Sequence, residues 1–319
     1  MGDLQKVTIQ PFDFEVADDA STHVRGLWAL YRQGDQILFV PMNEPCVLVI
    51  DPETKKVRRI GRNGDGPGEF GGGHPRALSS GVGSMWVLDH KLRVSYFTDD
   101  VFHTSFKVKS YQIAADSYPK YAFAHNESFV VIPAFPASGF LANVYDYSGQ
   151  VVEKVGGRLP VDTEMLQWNP AVNNTIWRFL DGKWYCLFTY RPTIRIFSDQ
   201  FELIKELQVI GPEVDIYEER FHRMAPDPNF PEVRPHFTDF QVTNTNIYLM
   251  CNGVLYRMDH EGKVESRTGF FGNEEIVSEI GFKPRVEFTH AIVMKSGRVY
   301  LGVYGNYFDH DLWFVDLER

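Results

Sequence analysis

Three cysteines in 319 residues, Cys46, Cys186 and Cys251, are too few, too far apart and odd in number for a disulfide framework. None makes the C-x-x-C spacing that holds zinc, so they read as core fillers. No stretch reaches the roughly 18 consecutive apolar residues of a membrane-spanning helix. Met1 to Gln10 has no basic region followed by an apolar one, so neither a span nor a signal peptide is expected in the sequence as it stands. Positive charge is in deficit: 32 Lys and Arg face 42 Asp and Glu, a formal net charge of −10 with no basic run to offset it. Bulk electrostatics therefore argue against nucleic acid or an anionic membrane surface as a partner. H-E-x-x-H, EF-hand and G-x-S-x-G motifs are absent, which leaves metal hydrolase, calcium-loop and serine-esterase chemistry without a motif. Helical periodicity is scarce as well.

What is present is globular composition, with 44% hydrophobic, 14% aromatic and 23% charged residues, arranged as short runs of Val, Ile, Tyr, Phe and Trp between Gly, Asp, Asn and Pro. That pattern predicts an all-β chain. Six segments share a tight turn followed by an apolar strand: GDQILFV from Gly34, GSMWVLD from Gly83, NESFVVI from Asn126, GKWYCLF from Gly182, NTNIYLM from Asn244 and GRVYLGV from Gly297. Their first apolar residues, Ile37, Met85, Phe129, Trp184, Ile247 and Val299, are spaced by 48, 44, 55, 63 and 52 positions. This is the period of a propeller blade. Each segment is followed by a second strand ending in an aspartate-type hairpin turn, as in VLVIDPETKKVRRI and VLYRMDHEGKVESR, so with a strand before the anchor turn each unit is expected to have four strands. Only 20 residues follow Val299, too few to finish its unit. Residues 6–16 are therefore expected to supply the last outer strand and close the ring. The expectation is one six-bladed β-propeller domain over residues 1–319, with four-stranded blades and a rim insertion at 211–235.

The segment IGRNGDGPGEF, Ile60 to Phe70, followed by Pro75 and Leu78, resembles the I-G-x-x-G-x-G-P-G-E-F signature between the first and second blades of six-bladed, TolB-like or NHL-like propellers of Bacteroidetes. The resemblance implies that fold. It also implies a periplasmic or outer-surface lipoprotein if a leader has been removed, and it implies no particular reaction.

In a blade with strands a to d, the a–b and c–d turns share one face, and the b–c and d-to-next-a connections share the other. Here the first set is short and the second contains 61–75, 156–174, 211–235 and 269–285, so the long-loop face is where binding is expected. The glycine loop lacks the Gly-Lys-Ser/Thr ending of a phosphate cradle. Its expected role is a sharp inter-blade turn in which Glu69 accepts backbone N–H bonds and Phe70 plugs between blades, with Arg62 and Asn63 left within reach of a ligand. In the 211–235 segment a short helix is expected over 214–224, with Tyr217, Arg220, Phe221, His222 and Arg223 as ligand contacts. Counting nine residues back from each anchor gives Trp28, Arg76, Lys120, Thr175, Thr238 and His290 as innermost-strand positions, of which Arg76, Lys120 and His290 would suit an anionic group. His74, His236 and His290 form the candidate set for a divalent metal, with Asp239 placed to orient a ring nitrogen of His236; no other cofactor is expected. Trp168 and Trp177 flank a long loop and are the candidate stacking platforms. The leading expectation is a non-enzymatic propeller that binds a protein, peptide or glycan at the cell envelope. The alternative is a lactonase-like hydrolase or lyase with a metal or a His/Arg/Asp site at the channel mouth.

Overall fold

Each sequence repeat folds into one antiparallel sheet. The structure, a computed structural model, describes residues 4–14, 26–72, 75, 77–81, 84–108, 119–125, 128–133, 139–160, 172–224, 235–271, 288–302 and 312–317. Strands β1 (Leu4–Thr8) and β2 (Gln10–Pro11) precede the first repeat. The first sheet is β3 (Leu27–Gln33), β4 (Gln36–Pro41), β5 (Val47–Ile50) and β6 (Val57–Ile60). The second is β7 (Ala77–Gly81), β8 (Ser84–Leu88), β9 (Arg93–Thr98) and β10 (Val101–Lys107). The third is β11 (Pro119–His125), β12 (Ser128–Pro133), β13 (Phe140–Tyr145) and β14 (Val151–Gly157), and the fourth is β15 (Thr175–Leu180), β16 (Lys183–Phe188), β17 (Thr193–Ser198) and β18 (Leu203–Gln208). A helix, α1 (Pro212–Met224), leads to the fifth: β19 (Phe237–Val242), β20 (Ile247–Cys251), β21 (Val254–Met258) and β22 (Val264–Phe271). The sixth has β23 (His290–Val293), β24 (Arg298–Gly302) and β25 (Leu312–Asp316). Apart from the N-terminal strands, each sheet is a meander in chain order, the six-bladed β-propeller arrangement.

The middle strands explain why the sequence shows continuous apolar runs where a one-sided sheet would alternate. Ile37, Leu38 and Phe39 of β4 and Val47, Leu48 and Ile50 of β5 are fully buried, because both faces of a blade are covered by its neighbours. Each such side chain contributes about 1.5–3 kcal/mol. The fourth strands carry far more exposed positions, as β10 does along most of its length.

By its internal packing the chain divides into two compact units, one of Met1–Ile9, Ala134–Leu141 and Val155–Ala291 and one of Gln10–Pro133, Ala142–Lys154 and Ile292–Arg319. Within the second, three apolar clusters lie between successive sheets: Phe39 and Leu48 meet Ile292 and Tyr300, Leu38 and Val49 meet Met85 and Phe97, and Leu88 and Val94 meet Val131 and Tyr145. The first strands β3, β7 and β11 lie side by side in that unit, and β15 lies beside β19 in the other.

The outer hairpin turns repeat one device. Asp51, Asp146 and Asp259 each accept backbone N–H bonds from residues two and three or two and four positions on, at 2.8–3.0 Å, and Ser198 does the same at 3.1 and 3.2 Å. These bonds hold the Asp51 and Asp259 carboxyls below their ordinary pKa, since the charged form is the better acceptor.

The N-terminal segment does close the sixth sheet, though not as the one strand expected over residues 6–16. Only Gln10 and Pro11 pair with β25, opposite Phe314 and Trp313, and the Phe12 N–H donates to Leu312 O at 2.9 Å. Residues Leu4–Thr8 instead run parallel to β22 as a fifth strand of the fifth sheet, Leu4 opposite Arg267 and Thr8 opposite Phe271. The change of sheet falls at Ile9, which is buried between the two paired stretches.

Candidate functional site

The d-to-a connection before the fifth sheet is built around α1, and its sequence shows why a helix starts there. Pro212 stands at the first helical position, Glu213 and Asp215 occupy the first turn, and His222 and Arg223 the last, all matching the helix dipole. The Asp215 N–H reaches Gly211 O at 2.9 Å. A Cβ on Gly211 would lie 2.5 Å from the Tyr256 ring, so this residue lets the chain enter α1 flush against β21.

The helix is held by polar groups, of which Glu213, Tyr256, Arg267 and His236 are buried. Arg267 of β22 donates through Nη2 to Glu213 Oε1 at 2.7 Å and Oε2 at 2.8 Å, and through Nε to Oε2 at 3.1 Å. Tyr256 OH donates to the same carboxylate. One turn on, Tyr217 OH donates to Asn252 Oδ1 at 3.2 Å, and Glu218 Oε1 lies 2.8 Å from His236 Nε2. Val214 and Phe221, each 1% exposed, supply the apolar contact, with the Phe221 ring 5.9 Å from that of His236. Burial alone would raise the Glu213 and Glu218 carboxyls, but Arg267 and Tyr256 outweigh it at the first, and His236, Arg191 and His222 at the second, so both lie below the ordinary range. The outward side of α1 then presents Asp215, Ile216, Glu219, Arg220, His222 and Arg223 to solvent.

His236 and Asp239 do not form the pair expected from sequence. His236 is wholly buried, with its backbone N–H on Thr189 O at 2.7 Å and its ring facing Glu218. Asp239 points along the first strands instead. It accepts from Arg178 Nη2 of β15 at 3.1 Å, from its neighbour Phe240 N at 2.7 Å and from Ala291 N of β23 at 2.9 Å, stitching three sheets together. The reason is register: a bulge between Phe237 and Asp239 turns successive side chains away from strict alternation. The same irregularity falls between Leu27 and Ala29 in β3 and between Pro119 and Tyr121 in β11. The positions it brackets, Trp28, Lys120 and Thr238, are among those that the nine-residue count assigned to innermost strands, and Thr175 and His290 open β15 and β23.

The glycine loop closes on itself. Glu69 accepts from Gly66 N at 2.7 Å and Arg62 Nε at 2.8 Å, Phe70 N donates to Arg62 O at 2.8 Å, and Asn63 bridges Phe70. Phe70 is fully buried against Phe97, and a Cβ on Gly61, whose φ is +79°, would lie 2.2 Å from its ring. The sequence had not pointed to Arg93 of β9. Its guanidinium donates to the carbonyls of Asp65 at 2.7 Å, Gly64 at 3.3 Å and Glu69, so the loop wraps a cation of the next sheet.

Trp177, a candidate stacking platform on sequence, is a core residue: it is fully buried, stacked on Phe197 at 5.6 Å, and its Nε1 donates to Thr175 Oγ1 at 2.9 Å. As the third residue of β15 it lies inside the blade rather than in the loop before it. Arg62, His222 and Arg223 are exposed, and His290 Nδ1 is 2.9 Å from Thr289 Oγ1. Lys120 lies in β11, while His74, Arg76 and Trp168 fall outside the described residues. Among the described residues no three His, Cys, Asp or Glu side chains converge as a metal site. The partners that sequence reasoning missed, Glu213, Glu218, Arg267 and Arg178, split in kind. Glu213 and Glu218 were findable from the Pro-Glu helix start and the Glu218/His222 spacing, whereas Arg178 and Arg267 carry no local signal.

The six small antiparallel sheets define a six-bladed β-propeller arrangement. No family model matches the chain, and no curated protein matches it. Among solved structures it is similar to a Bacteroides fragilis protein assigned as exported, at 9% identity and a TM-score of 0.58, over 99% of this chain and 100% of that one. It is also similar to a catalytically inactive virginiamycin B lyase from Staphylococcus aureus with quinupristin, at 12% identity and 0.51, over 92% and 80%. The WD40 propeller domain of Doa1 matches at 10% and 0.51, over 93% and 95%. At such identities the agreement is one of fold, which unrelated functions share. No helix among the described residues is long and apolar enough to cross a membrane.

Proposed function

We propose that the protein is a single-domain, non-enzymatic binding propeller of the cell envelope, whose long-loop face docks a protein, peptide or glycan with α1 as its fixed edge. The observation that carries this reading is the anchoring of α1. α1 lies in a connection between blades and is fixed there by a buried ion pair, a contact between buried His236 and Glu218, and two buried apolar side chains. Fixing the backbone in this way lowers the ordering entropy that a ligand would otherwise have to meet on binding. An envelope location takes its support from the resemblance of residues 60–70 and from the exported Bacteroides fold neighbour. The TolB-like or NHL-like grouping belongs to the same proposal.

The test compares three immobilised proteins for retention of purified envelope proteins and glycans: the parent, an Arg220→Glu/Arg223→Glu variant, and a Lys55→Glu/Lys56→Glu variant on an outer turn. One component held by the parent and the outer-turn variant, and released by the α1 variant, is the expected result. Equal retention by all three would overturn the reading. Turnover of an ester or lactone that is lost in Arg178→Met or His290→Ala would instead establish the hydrolase or lyase alternative.

A further inference from the structure

At the end of the first two sheets that carries the a–b and c–d turns, a cleft of about 340 Å³ opens to solvent. Its floor is apolar, made of Ile60, Met85 and Phe97, each less than 5% exposed. Its rim is charged and unbalanced: Asp35, Asp99 and Asp100 against the single cation Arg58. Arg58 is already engaged, with Nη1 2.5 Å from Asp100 Oδ2 and Nη2 donating to Gln36 Oε1 at 3.3 Å. The Asp35 side chain is 76% exposed, and its nearest partner, Arg32, stands 4.0 Å away while donating to Gly34 O and Val293 O. Asp99 makes no ion pair among the described residues. Gln33 Nε2 donates to Ser84 O at 2.9 Å and ties the two a–b turns that flank the opening.

We propose that this cleft receives a lysine side chain from a basic peptide segment of a partner. The stem lies on Ile60, Met85 and Phe97, and the ammonium meets Asp35 and Asp99. A charged head on an aliphatic stem matches both halves of the cleft, since such side chains bury the stem and keep the head in water. An anion is repelled by the rim, and a small inorganic cation leaves the apolar floor unused. Lysine fits better than arginine because the carboxylates of Asp35 and Asp99 come from separate turns, where three rotatable donors serve both and a planar fork serves one. The site shares no residue with α1, so its failure leaves the reading above untouched.

The test uses protein labelled with ¹³C at the methionine methyls, with Met85 assigned through Met85→Leu, titrated with acetyl-Gly-Lys-Gly-amide and with its Nε-acetyl-lysine counterpart. The expected result is a saturable shift of the Met85 methyl with the lysine peptide, weakened at least about threefold by acetylation. Asp35→Asn and Asp99→Asn are each expected to weaken it about two- to fivefold, the range for an exposed ion pair. Asn accepts the left-handed φ of 47° at position 99, so the turn is preserved, and unmoved methyls elsewhere verify this. No Met85 shift at millimolar peptide, an equal shift with the acetylated peptide, or unchanged binding in the double Asn variant would overturn the proposal.

Discussion

Replacing Arg267 with Met tests what holds α1 in place. In the parent, the Glu213 and Arg267 side chains are 9% and 10% exposed and share three N···O contacts between 2.7 and 3.1 Å. The substitution keeps a stem of similar reach but leaves the Glu213 carboxylate with Tyr256 OH as the remaining side-chain donor of that cluster. Breaking a buried pair from one side costs about 3–5 kcal/mol. Because this pair lies beneath a single helix rather than in the sheet interior, the lower end, about 3 kcal/mol, is expected. Removing both charges in Glu213→Leu/Arg267→Met strands neither group, and that variant should lose less than about 1 kcal/mol, a coupling of at least about 2 kcal/mol. Urea unfolding gives the free energies, with an unchanged m-value required for the comparison. Amide exchange should show α1 opening first in the single variant and behaving as in the parent in the double. A single-variant loss below about 1 kcal/mol, or additive effects, would refute the claim that this ion pair anchors the helix.

Three further predictions follow from the same geometry. The Glu213 and Glu218 carboxyls have folded pKa values below the unfolded value of 4.5, so their contribution is fully present above pH 4.5 and is lost as pH falls through the folded values. Exchange of α1 amides should rise below pH 4.5 ahead of the sheets, and simultaneous loss would contradict it. Gly61→Ala combines a positive φ with a 2.2 Å approach to Phe70 and should cost about 3 kcal/mol or more, against about 1–2 kcal/mol for Gly34→Ala, where the added Cβ meets open space; equal shifts in melting temperature would count against the packing of the glycine loop. Deleting residues 1–8 removes only β1 and should cost about 1 kcal/mol. Deletion through Asp13 also removes Phe12, 4% exposed and 5.1 Å from the Tyr300 ring, and should cost at least a further 3 kcal/mol or so; equal effects would refute closure through β2.

Much of the architecture is local, and that part was legible. Turn chemistry at Asp51, Asp146, Ser198 and Asp259 depends on a side chain reaching its own backbone, so the hairpins declare themselves in the sequence. The nine-residue count placed Trp28, Lys120, Thr175, Thr238 and His290 on innermost strands because strand and turn lengths within a blade are nearly constant. The helix expected over 214–224 is present but starts two residues earlier, at Pro212, where proline suits the first helical position. Trp177 misled because a residue's place beside a loop says nothing about which side of the strand it occupies once the register is set.

The sequence by itself determined the number of blades and the strand order, since both follow from the period and from the lengths between strands. Tertiary structure alone decided the partners. Arg93 caged by loop carbonyls, Arg267 beneath α1, Asp239 stitching three sheets, and the N-terminal strand divided between the fifth and sixth sheets all join residues far apart in the chain. A charged side chain has no periodicity to announce its partner. Which carboxylate an arginine meets is set by where two backbones have already been brought, and only then do distance and burial decide what the pair is worth.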